Sequence, residues 1–188
     1  MRDPAGADAV VLRPLDRAFL ARCIDDLVAL DAAVRAELGD AYSHEAWGRD
    51  EFLAERPSKW RFSIAALGGD RLVGFLIASR DGETGHMHRL AVTPARRHRG
   101  IAHLLVGAAE SAVRAGGLCT LRLSVGADNA AALAFWMDLG YRALDAAGHR
   151  AYAAARGLDS VGDAVRAGGR PYRILEKRLE VECFGRAN

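Results

Sequence analysis

The chain has 188 residues, 51% hydrophobic and 27% charged, with a formal net charge of +2. This balance excludes disordered, collagen-like and low-complexity classes, and the length suits one well-buried domain over residues 1–188 rather than two. No apolar run approaches the roughly 18 residues of a membrane span, and the charge is far from that of a dedicated nucleic-acid binder, so neither is an expected partner.

In chain order, residues 9–13 read as a strand stopped by Pro14, and Asp16 can cap a long amphipathic helix ending at Gly39. A second helix is expected from Ser43 to about Glu55, before Pro57. Phe62 to Leu67, the Gly68-Gly69-Asp70 turn and Leu72 to Ala78 form a predicted hairpin, followed by a strand from Gly85 to Thr93. Ile101, Leu104, Leu105, Ala108, Ala109, Ala112 and Val113 mark the clearest helix, which Gly116-Gly117 ends. A strand over Cys119 to Val125, a helix from Asp128 or Asn129 to Leu139, and strands over Tyr141–Leu144 and Tyr172–Val181 complete the pattern. Asp145 to Gly169 is long for a hairpin connection, a length that often carries function. The basic start at Arg2 is followed by no apolar run, so no signal peptide is expected. Three widely spaced cysteines, Cys23, Cys119 and Cys183, fit buried thiols in a reducing cytoplasm.

The densest chemical signal is the run from Leu90 to Leu105, where a strand ends, a basic loop follows, and a helix begins near Gly100. A helix start leaves backbone N–H groups unpaired and carries the positive end of the dipole, which suits an anion. Gly100 lets a phosphate approach the backbone, and Arg96, Arg97 and Arg99 add charge. No Gly-Lys-Ser/Thr follows, so this is not a Walker P-loop.

Two elements, Arg97-x-x-Gly100-x-Ala102 and Asn129-x-x-Ala132-x-x-Phe135-Trp136-x-x-x-Gly140-Tyr141, together resemble the GNAT superfamily of acyl-CoA-dependent N-acyltransferases. Arg97-x-x-Gly100-x-Ala102, after Leu90-Ala91-Val92-Thr93-Pro94, is similar to its pyrophosphate loop. Asn129-x-x-Ala132-x-x-Phe135-Trp136-x-x-x-Gly140-Tyr141 is similar to its later helical element, and element order fits over residues 9–181. The resemblance implies an α/β fold with a mixed sheet of about seven strands, splayed between the fourth and fifth and flanked by about four helices. It implies transfer of an acyl group, most readily acetyl, from acyl-CoA to a primary amine of a small molecule, with no metal. A CoA-binding protein with altered catalysis and a carrier-protein donor are the alternatives. It also implies pantetheine along Leu90, Ala91 and Val92, and pyrophosphate on the backbone from Arg97 through His98, Arg99, Gly100, Ile101 and Ala102 to His103, with Arg97 or Arg99 free to meet phosphate oxygens. Asn129 would bond the pantetheine arm or simply cap its helix, and Trp136 would pack against CoA. A cytoplasmic monomer or homodimer is expected.

The chain departs from the family in two places. Trp136 stands where a tyrosine usually acts as general acid, and indole releases no proton at usable pH. Ser124 stands where peptide N-terminal acetyltransferases carry a glutamate, while the fourth-strand position used by histone-type members falls on His86. His86 and His88 share one face of a predicted strand, roughly 6.5–7 Å apart, and are candidate bases; Glu83 is the alternative. A half-exposed structural role and a His-x-His metal site are the other readings of the pair. Tyr42, His44, Trp47 and the 145–169 segment are candidate acceptor contacts.

Overall fold

A computed structural model describes residues 9–39, 42 and 45–180. Strand β1 (Val10–Pro14) leads into helix α1 (Arg17–Leu38), whose N-cap Asp16 accepts the Phe19 N–H at 2.7 Å. Two short helices follow, α2 (Arg49–Leu53) and α3 (Lys59–Phe62). Next come β2 (Ile64–Gly68), β3 (Arg71–Asp81) and β4 (Thr84–Val92), a 3-10 turn at Pro94–Arg96, and α4 (Ile101–Ala115). Strand β5 (Thr120–Gly126), α5 (Ala130–Asp138), β6 (Arg142–Ala143) and α6 (Ala146–Ala154) precede β7 (Asp159–Val161), β8 (Ala164–Ala167) and β9 (Arg170–Arg178).

The strands form one sheet in the order β1-β2-β3-β4-β5-β9-β8-β7, with β6 also on β9. Only the β4–β5 pair is parallel among the described strands. The alternation of the strands sorts side chains to two layers. Ile64, Ala66 and Leu76 face α4 and α5 with Ile101, Leu105, Val113 and Tyr141; Ala65, Phe75, Ile77 and Ala91 face α1 with Leu20, Leu27 and Phe52. Gly85 has no side chain where β4 begins to pair with β5, because a Cβ there would lie 2.8 Å from Leu121 Cδ1.

Among the described residues there are nine strands and six helices, against the expected about seven and about four. The excess lies largely in the 145–169 segment, which holds α6, β7 and β8. The second helix starts at Arg49, six residues after the expected Ser43, because Glu51 Oε2 reaches back to accept the Gly48 N–H at 2.8 Å. Ser43 and His44 lie outside the described residues, as do Cys183 and Val181. Phe62 belongs to α3 rather than to the hairpin. Cys23 is buried, and burial pushes its thiol up to about 11. Cys119 is exposed, since it precedes β5 at the sheet margin and only its carbonyl is engaged, by the Leu179 N–H. Among the described residues, no helix is long and apolar enough to cross a membrane.

Candidate active site

Strands β4 and β5 pair only over Gly85–Met87 and Leu121–Leu123. Beyond that point each is held on its outer edge, β4 by β3 as far as Val92 and β5 by β9 as far as Gly126. Their inner edges diverge, and a cleft of about 460 Å³ opens between them. Leu90, Ser124, Asn129, Phe135, Trp136 and Tyr172 are among the residues that line it. Trp136 forms a wall: it is 8% exposed and packs edge-on against Phe135 and Tyr141. Asn129 Oδ1 caps α5 by accepting the Ala132 N–H at 2.9 Å, so capping and lining fall on one side chain.

At the end of β4 the chain turns through His98 and Gly100, with φ of 59° and 77°, into α4. The left-handed conformation is costly for a non-glycine residue such as His98 and is held by its surroundings. The first bond within α4 runs from the Leu104 N–H to the Gly100 carbonyl, so the helix start points its earlier N–H groups outward. Among the described residues beyond its chain neighbours, no atom lies within 4 Å of where a Gly100 Cβ would stand. Arg97 is not free as expected: its Nη1 donates to Glu37 Oε1 at 2.6 Å and its Nε to the Val92 carbonyl at 3.3 Å. Its Nη2 is buried without a hydrogen-bond partner. The Ile101 side chain is 2% exposed in the core, leaving only its backbone toward the loop, and His103 packs on Phe135 at 5.3 Å.

A register shift in the β3–β4 ladder sets the chemistry of β4. Ile77 faces Arg89 and Ala78 faces Met87, so His88 is the extra residue of a bulge. The bulge lets consecutive residues point to the α1 side. His88 Nε2 lies 2.7 Å from the hydroxyl of buried Ser79, while Arg89 Nε lies 3.6 Å from Asp31 on α1. The His86 and His88 ring centres are 4.8 Å apart. Burial holds His86 down to about 4, with Arg156, Arg56 and Arg122 also lowering it against Asp81. Burial and then the His86 charge hold His88 down to about 3, with further lowering by Arg56 and Lys59. Both imidazoles are therefore neutral at neutral pH. Among the described residues no cluster of three or more His, Cys, Asp or Glu could hold a metal.

A second cavity, of about 290 Å³, lies beside the histidines and includes Arg56, Ser79, Asp81, Tyr152 and Arg156 in its wall. His88 and Tyr152 line both cavities and mark where they meet; His86 lines the second alone. Glu83 lines neither. Its side chain is 91% exposed in the β3–β4 turn and pairs with Arg80 at 2.9 Å.

Tyr42 lines the cleft but is committed elsewhere, donating its hydroxyl to Asp31 at 2.6 Å; burial and the Asp31 charge push its ionisation up. Trp47 lines neither cavity. It stacks on Phe52 and Arg89 and backs His88, with ring centres 6.3 Å apart. Arg56 and Ser79 escape the sequence reading, because each reaches the site through tertiary packing rather than through a local motif, whereas Tyr152 falls within the 145–169 segment expected to contact the acceptor.

Residues 28–141 match the family model described as the acetyltransferase (GNAT) family, more than half of the chain. The chain belongs to the acetyltransferase (GNAT) family. As a member of this GNAT family it is an acyltransferase. The fold is similar to that of the PaiA N-acetyltransferase from Thermoplasma acidophilum, solved with coenzyme A (TM-score 0.64, 16% identity, 90% of this chain and 99% of that one). It is also similar to the ribosomal-protein-S18-alanine N-acetyltransferase from Escherichia coli (TM-score 0.62, 15% identity, 96% and 99%). The N-acetylglutamate synthase from Neisseria gonorrhoeae, solved with coenzyme A and N-acetyl-glutamate, is similar over 92% of this chain and 35% of its own (TM-score 0.65, 15% identity).

Proposed function

We propose that this GNAT acyltransferase moves an acyl group, acetyl first, from acyl-CoA to the primary amine of a small molecule. The observation that carries the reading is the meeting of two cavities at His88, one between the splayed strands and one polar. The residues present fit CoA. Open space beside Gly100, the outward N–H groups of α4 and the orphaned Arg97 Nη2 suit a pyrophosphate, and the long cleft with unpaired strand edges suits a pantetheine arm. Neighbours of the same fold solved with coenzyme A support the assignment.

When bound, acyl-CoA supplies a thioester carbon and a thiolate leaving group. Attack by the amine forms the C–N bond and breaks the C–S bond, and the nitrogen must shed a proton. His88 is placed to take it. In the tautomer with Nε2–H donating to Ser79 Oγ, Nδ1 carries the lone pair; burial keeps the ring neutral while lowering its basicity. His86 stands behind it as the next proton acceptor. Trp136 shapes the wall and excludes water, while Tyr152 offers a phenol at the junction that can protonate the departing sulfur. The proton held by His88 then returns the phenol to its starting state.

Free thiol released from acetyl-CoA with a panel of primary amines tests this. His88→Ala is expected to lower kcat/KM by about 10²–10⁴-fold, with His86→Ala losing less. Amine-independent thiol release, or wild-type rates in both variants, would overturn the assignment.

A further inference from the structure

The polar cavity contains three arginines and one aspartate, Arg56, Arg80, Arg156 and Asp81, beside two neutral imidazoles. Two of the three cations are already matched. Arg156 forms an ion pair with Asp81 and lies over the Tyr152 ring at 3.8 Å. Arg80 donates to Glu83 at 2.9 Å and to the Gly82 carbonyl at 2.8 Å. Arg56 differs. It enters from the loop between α2 and α3, its Nε is buried without a hydrogen-bond partner, and its guanidinium lies 6.0 Å from the Trp47 ring centre. It forms no ion pair among the described residues.

A guanidinium drawn into a cavity with unmet donors is completed by a compact oxyanion, which its planar fork holds through two parallel hydrogen bonds. The cavity's surplus positive charge also repels a polycation. We infer that the acceptor is a small amine carrying its own carboxylate or phosphate, with that anion on Arg56 and its amine directed to His88. This rests on the acyl-transfer reading for the amine's role, whereas the anion site stands on the cavity alone.

Binding is measured first, without any acyl donor, by the thermal shift of the full chain with β-alanine, phosphoethanolamine, propylamine and putrescine. The anionic amines are expected to bind about 10–10²-fold more tightly than propylamine, the range of a charge-assisted pair. Preference for β-alanine over phosphoethanolamine, or the reverse, identifies carboxylate or phosphate as the natural anion. Arg56→Gln should bring the anionic and neutral affinities together, and Arg56→Lys should retain part of the preference by charge without the fork. Equal binding of anionic and neutral amines by the wild type, or an unchanged preference in both variants, overturns the inference. Thiol release from acetyl-CoA with the same amines separates the two claims. An anion preference in binding without any acyl transfer would defeat the acyl-transfer reading and leave the Arg56 site standing.

Discussion

His88 owes its place to one extra residue in β4. Without the bulge, strict alternation would send His88 and Arg89 to opposite faces; with it, His88 meets Ser79 and Arg89 meets Asp31 on the same side. The depressed imidazoles have a consequence for rate. A base with an ordinary histidine pKa would lose activity below about pH 6.5. Here both rings stay neutral until pH falls toward about 4 and about 3, so the ratio of wild-type to His88→Ala rates should be flat from pH 5 to 9. An inflection of that ratio near 6.5 would place a normal, solvated histidine at the base position. The same shifts act on stability. Folded pKa values below the unfolded one mean that the unfolded chain binds more protons between about 4 and 6.5, so stability should fall as pH drops through that window. Replacing both histidines with glutamine should flatten the fall, as read by denaturant unfolding at pH 4.5 and 7.

At the same scale, the loop from Arg97 to Gly100 and the cap at Asn129 were legible because they are local patterns of backbone chemistry. Of Arg97 and Arg99, expected as alternatives for the phosphate, Arg97 pairs with Glu37, which lies 60 residues earlier and is not marked by the motif. Arg56 and Ser79 are illegible for the same reason, and Tyr152 is legible only as part of the 145–169 segment. Each sits on a different element, and only the closed sheet brings them beside β4.

Among the elements, α4 and its glycine start do most to define the donor side. Gly100 at φ 77° tolerates no side chain without strain, so Gly100→Ala should cost about 1 kcal/mol of stability and also weaken acetyl-CoA binding, measured by titration calorimetry. Loss of stability with unchanged affinity would leave the turn a purely structural feature. The α2–α3 connection is pinned by Lys59, fully buried, whose ammonium donates to the carbonyls of Phe52 and Ala54 at 2.5 and 2.7 Å. Burial lowers it to about 8. Lys59→Ala leaves those carbonyls without their donor and should destabilise the chain by about 1–3 kcal/mol, seen in urea unfolding. The elements within 145–169 were legible in part. Asp145 is an N-cap that accepts the Gly148 N–H, and the positive-φ glycines at 157, 162, 168 and 169 bracket two very short strands. Strands of three and four residues carry too few side chains for an alternating pattern to register.

At the scale of the whole molecule, the site lies where β4 and β5 form the one parallel pair among the described strands. The crossover through α4 forces β5 to run parallel to β4, and the different outer partners, β3 and β9, then pull the two strands apart beyond Met87 and Leu123. The strand and helix order that produces this was readable from periodicity and turn residues, whereas the second cavity arises from packing among α6, the α2–α3 loop and the β3–β4 hairpin and has no signature in any one of them. The cleft between β4 and β5 is proposed to take acyl-CoA. The unfolding temperature of the full chain, measured as acetyl-CoA is raised, tests it most directly. Ligand at a hundred times Kd should add about 2.7 kcal/mol, a rise of about 5–10 °C for a chain of this size. An unfolding temperature that stays constant into millimolar acetyl-CoA would contradict the account.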